Sequence, residues 1–138
     1  MKSSLSSQFA EVLFAGYPEW RGYIAPNQAD EIGLLVKVPS PNPKLSSGLY
    51  IEVDSEITVG TDWYHSHFWG DAGEAIERAM AFIDGFLTEK VVVLAFFNRD
   101  KWTGSWCVSL EDSWPVPKLG ERRQILSWTG SLDAEMAG

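Results

Sequence analysis

Hydrophobic and polar positions alternate most regularly between Leu49 and Phe68. Leu49, Ile51 and Val53 fall on one side of an extended chain, with Tyr50, Glu52 and Asp54 on the other. After a turn near Asp54 and Ser55, Ile57 and Val59 continue the apolar side, while Glu56, Thr58 and Gly60 continue the other. A period of two predicts a β-hairpin with one buried and one open face. From Asp71 to Leu87 the spacing is helical instead. Ala72, Ala75, Ile76, Ala79, Met80, Ile83, Phe86 and Leu87 form one broad apolar stripe, away from Glu74, Glu77, Arg78 and Asp84. Asp71 is the expected N-cap, and Glu74 three residues on has capping-box spacing.

Ser4 to Ala15 reads as a second helix, with Leu5, Phe9, Val12 and Leu13 at helical spacing, serines to cap it and Gly16 to end it. An irregular stretch follows through Pro18, Gly22 and Pro26. Gly33–Val38 is a short strand, and Pro39, Pro41 and Pro43 open a loop that runs to Gly48. Val91 to Phe97 is an unbroken apolar run rich in Val and Phe, the pattern of a central strand buried on both faces. Trp102, Trp106, Val108 and Leu110 mark the next strand. Pro115 and Pro117 mark a loop, Arg122–Thr129 a last strand, and Gly130–Gly138 a loose tail.

The expected order is α-β-β-β-α-β-β-β. Short loops between neighbouring strands favour antiparallel pairing. The pattern therefore predicts an α+β fold with a single twisted antiparallel sheet of about five or six strands and two helices packed on one face. With 138 residues, the chain is expected to form one domain, 1–138. At 45% hydrophobic and 13% aromatic residues it carries enough large apolar groups to exclude a disordered chain. The single cysteine, Cys107, has no partner for an internal disulfide, which fits a reducing cytosol. The absence of an export signal and of any apolar run near ~20 residues leads to the expectation of a soluble cytoplasmic protein.

Charge changes the picture. Between Ile51 and Glu89 lie nine acids and one base, Arg78; nine minus one gives −8, the net charge of the entire chain. The remaining ten acids and ten bases cancel. Such a field steers a positively charged partner and argues against nucleic acid and anionic membranes, both of which need a basic footprint. The hairpin's open face is the leading candidate for docking. Tyr50, Glu52, Asp54, Glu56, Asp62 and Tyr64 are expected to share it with Thr58, and tyrosine rings among carboxylates suit a protein interface. The alternative is an ordinary solvated sheet face.

His65 and His67, the only histidines, are two apart, so a strand places both on one side. Two neutral imidazoles at that spacing, with Asp62, Glu56 or a later acid as third ligand, would form a metal site for hydrolytic or oxidative chemistry. A pair of hydrogen-bonded rings at a strand end explains the same spacing without a metal, and favours no metal and no catalytic residue. Cys107 paired with a histidine is a further nucleophile candidate, against a plain buried thiol. The tryptophans at 20, 63, 69, 102, 106, 114 and 128 are either core or a ligand-stacking platform, which leaves a small-ligand-binding regulatory protein as another alternative. No phosphate loop, dinucleotide fingerprint, nucleophile elbow or paired-cysteine zinc pattern occurs, and no cofactor is expected.

Glu56-Ile57-Thr58-Val59, then His65-Ser66-His67-Phe68 and an amphipathic helix, resembles a pattern in small bacterial immunity-type proteins of polymorphic toxin systems. Ser127-Trp128-Thr129-Gly130-Ser131-Leu132-Asp133 adds to the likeness. The resemblance implies a cytosolic inhibitor that binds a toxin domain, often a nuclease with a basic cleft, and blocks it. It implies binding residues and no catalytic ones.

Overall fold

The computed structural model describes residues 4–25 and 33–138. Helix α1 spans Leu5–Gly16. The Ser4 hydroxyl caps it by accepting from the Ser7 N–H at 3.1 Å, and Phe9 and Leu13 are fully buried. The stretch expected to be irregular is a 3-10 helix, Pro18–Tyr23, with Pro at its start, where no N–H is needed. Pro26 lies outside the described residues.

Among the described residues eight strands follow: β1 Leu34–Val38, β2 Leu49–Val53, β3 Ile57–Thr61, β4 Tyr64–Phe68, then, after helix α2 Ala72–Leu87, β5 Val91–Asn98, β6 Lys101–Ser109, β7 Glu121–Leu126 and β8 Ala134–Ala137. The fold is α+β and every pairing is antiparallel. The single sheet of five or six strands is corrected to two four-stranded sheets, ordered β1-β2-β3-β4 and β6-β5-β7-β8. Two strands were hidden in the sequence. The Leu49–Phe68 hairpin is a three-stranded meander, because Asp62 and Trp63 make a second tight turn. The expected loose tail contains β8, an edge strand exposed at every residue and so without the alternation that marks a strand. Each sheet is completed by local antiparallel pairing, and β4 lies beside β6 without joining its ladder.

The core lies where these two sheets share α2. The Asp71 carboxylate accepts from the Glu74 N–H at 3.1 Å and starts that helix. Its stripe of Ala75, Ile76, Ala79, Ile83 and Phe86 packs on β3 and β4 of one sheet and β5 of the other. Phe86, fully buried, meets Trp128 edge-on at 5.9 Å and stacks with Phe82 at 6.2 Å. Val93, Ala95 and Phe97 of β5 face this core, whereas Val92, Leu94 and Phe96 face a smaller cluster with Val108, Trp114 and Ile125. The central, doubly buried strand expected from the apolar run is therefore β5. No helix among the described residues is long and apolar enough to cross a membrane.

Because Phe86 is fully buried and packs against Phe82 and Trp128, Phe86→Ala should lower stability by about 3–5 kcal/mol. Trp69→Ala, at a side chain that is 64% exposed, should change it by less than about 0.5 kcal/mol. Urea titration of the two variants checks the contrast.

Candidate functional site

The open face of the first sheet is built by register. Lys37, Tyr50, Gly60 and His65 form one cross-strand row, and Leu35, Glu52, Thr58 and His67 form the next. On the opposite face Val36, Ile51 and Val59 are fully buried. Gly60 has a local reason: a Cβ there would lie 2.5 Å from the Tyr50 ring and 2.7 Å from the Cβ of His65, so glycine lets the tyrosine lie across the strand. His65 and His67 are both exposed on this face, as their spacing requires, with ring centroids 5.0 Å apart.

Tyr50, Glu52, Glu56, His65 and His67 are thus brought together on one side. Asp54 sits exposed in the β2–β3 turn beside Glu56. His67 Nδ1 lies 2.9 Å from the Thr58 hydroxyl and 3.1 Å from Glu56 Oε1. Burial, and then the charge of Glu52, push the Tyr50 phenol above its usual value, so it remains a neutral donor.

Two residues do not join them. Asp62 stands at the other end of the ribbon, in the β3–β4 turn, where it accepts from the Ser46 hydroxyl and the Ser47 N–H, each at 2.9 Å. Tyr64 lies on the helix side, packed against Phe82 of α2 with centroids 6.0 Å apart. A two-residue turn pairs Thr61 with Tyr64, and paired residues share a face. Since Thr61 is buried, Tyr64 turns inward with it. Burial is the main cause that raises the Tyr64 phenol; Ser66 opposes it and Cys107 adds to it.

The acids of the 51–89 segment are also divided. Glu74, Glu77 and Asp84 are exposed on α2, which packs on the buried side of the first sheet. They look away from the Tyr50 face. At physiological salt, where charges more than about 8 Å apart are largely screened, the face itself carries Glu52, Glu56 and the adjoining Asp54 against Lys37.

Two tryptophans, expected only as core or as a ligand-stacking platform, stand at the rim of this face. Trp63, in the β3–β4 turn, and Trp102, at the start of β6, have ring centroids 6.4 Å apart, with Trp63 also edge-on to Phe97 at 5.2 Å. Recognition of the Asp62-Trp63 turn would have found the first. Among the described residues no three His, Cys, Asp or Glu side chains converge to hold a metal ion. Cys107 pairs with Val93, whose side chain enters the core, and burial pushes the thiol up to about 11.

The Ser127–Asp133 stretch is a clasp between the two sheets. Asn42, buried in the β1–β2 loop, donates to the Ser127 carbonyl at 2.8 Å and to the Asp133 carboxylate at 2.9 Å, and its own carbonyl accepts from the Lys44 N–H at 3.0 Å. Ser40 donates to the Trp128 carbonyl at 2.7 Å. Asp133 in turn accepts from the Ser127 N–H at 2.7 Å. Glu89 fastens the same turn from the end of α2. It occupies the left-handed position, φ 60°, that closes the helix with Lys90 N–H to Gly85 carbonyl and Glu89 N–H to Phe86 carbonyl bonds. Glycine is the usual residue there. The glutamate adds a carboxylate that accepts from the Thr129 N–H at 3.2 Å and the Thr129 and Ser131 hydroxyls at 2.9 and 3.0 Å.

Two measurements follow from these surroundings. Burial raises the Glu89 carboxyl, but hydrogen bonds from the Thr129 N–H and from the Thr129, Ser127 and Ser131 hydroxyls outweigh it and hold the group below its ordinary 4.5. Its stabilising effect is therefore complete above the ordinary glutamate value and lost as pH falls through the depressed one. Melting curves from about pH 6 to pH 3 should show a smaller acid-induced loss in Glu89→Gln than in the parent. The Cys107 thiol, at about 11 rather than 9.0, should react with a disulfide reagent at pH 8 at least about tenfold more slowly than a free thiol; full reactivity in denaturant is the control. Comparison with protein-family models, curated proteins and solved structures finds no match to this chain.

Proposed function

We propose that this chain is an acidic protein-binding module of immunity type, which acts in the cytoplasm and neutralises a toxin domain by docking on its basic surface. The observation that carries the reading is the accessible sheet face that gathers Tyr50, Glu52, Glu56, His65 and His67, with Asp54 at its edge. A tyrosine offers contact area at low conformational cost, and the surrounding carboxylates select a cationic counterpart. The resemblance of residues 56–59, 65–68 and 127–133 to immunity-type proteins points the same way. Its last segment supports the reading only through the fold, because Ser127 and Asp133 are engaged in the clasp. Half-buried Glu52 and Glu56 act on complex lifetime, and exposed Asp54 acts on association rate.

The partner is sought as the product of the adjoining gene, made as an inactive domain. Failure to form a complex at micromolar concentrations overturns the reading. Given a complex, Glu52→Lys, Asp54→Lys and Glu56→Lys combined should slow association by about tenfold at low ionic strength and flatten its salt dependence. Unchanged kinetics by surface plasmon resonance would remove this face from the interface.

A further inference from the structure

Beside Tyr50 the open face ends in a hollow walled by Tyr50, Trp63, His65 and Trp102, with Asp62 at its side. At about 280 Å³ it falls below the ~300–1,000 Å³ of small-molecule sites and matches a side chain better. Trp63 is 38% and Trp102 47% exposed. Their planes are tilted by 30° at 6.4 Å, so they are not closed on one another as Tyr17 and Trp20 are at 4.1 Å. Both rings are held in place, Trp63 by Phe97 and Trp102 by its indole N–H donating to the Ser105 hydroxyl at 2.8 Å. The Asp62 carboxylate accepts only neutral donors, from Ser46 and Ser47, and forms no ion pair among the described residues. Lys37 stands on the far side of Tyr50, in the neighbouring depression with Glu52.

Aromatic faces beside a carboxylate without a cationic partner attract a cation. A planar guanidinium gains more here than an ammonium, since it stacks on rings and still donates in its own plane. We infer that this hollow receives an arginine side chain of the protein partner, between the Tyr50, Trp63 and Trp102 rings and against Asp62. The inference rests on the docking reading above and names the group recognised there.

The test uses the intact chain labelled with nitrogen-15, whose indole N–H signals are assigned through Trp63→Phe and Trp102→Phe. Nα-acetyl-argininamide should shift the Trp63 and Trp102 signals saturably, with a millimolar dissociation constant, and leave those of Trp69 and Trp106 in place. Asp62→Asn, its fold checked in the same spectrum, should weaken binding at least about fivefold, as loss of one charged contact does. The neutral isostere Nα-acetyl-citrullinamide should not bind. Absence of saturable shifts, equal response to citrullinamide, or an unaffected Asp62→Asn variant overturns the site; equal affinity for Nα-acetyl-lysinamide overturns the choice of arginine. A partner complex that survives while the arginine titration is blank refutes the hollow alone. Saturable arginine shifts in the absence of any complex refute the docking reading instead.

Discussion

Neither sheet can bury its apolar face without α2. The helix lays one stripe across β3 and β4 on one side and β5 on the other, and Phe86 reaches Trp128 in the connection between β7 and β8 of the second sheet. Every other placement follows from this sharing. Sheet one turns its apolar residues to the helix and so turns Tyr50, Glu52, His65 and His67 outward. The clasp of Asn42 with Ser127 and Asp133 then ties the far ends of the two sheets with buried hydrogen bonds that would be costly to leave unmade. Glu89 belongs to both devices: it ends the shared helix and holds the clasp. Its left-handed backbone would be easier for glycine, and the three bonds to Thr129 and Ser131 explain what a carboxylate contributes there.

The elements with strong period were legible in the sequence. Helix α2 begins at its expected cap, and β5 is buried on both faces as an unbroken apolar run demands. What was not legible depends on turns and on distant pairing. The three-residue connection between Val53 and Ile57 keeps the alternation in phase, so Glu52 and Thr58 face together. The two-residue turn at Asp62 and Trp63 reverses that phase, and Tyr64 therefore faces the helix while His65 faces outward. Division into two sheets could not be read from periodicity at all. Alternation marks a strand without stating its neighbour, and β4 and β6 lie side by side without sharing a ladder.

For the candidate site the sequence located the ribbon and its histidines but overstated its acidity. Charge counted along the chain places nine acids together; in space Glu74, Glu77 and Asp84 lie on a helix behind the sheet. The open face is accordingly mixed, with carboxylates, a lysine, two imidazoles and aromatic rings. In the proposed reading such a surface would select its counterpart by pattern, whereas the field of the whole chain would act earlier, on encounter.

Trp63 belongs by sequence to one sheet and leans by contact on Phe97 and Trp102 of the other. It is the wall of a recess and also a rivet across the seam. A guest wedged against that indole would feel the angle between the two halves of the molecule, and would in turn fix it. Stiffness across the seam and the recognition proposed for the recess would then fall to one side chain.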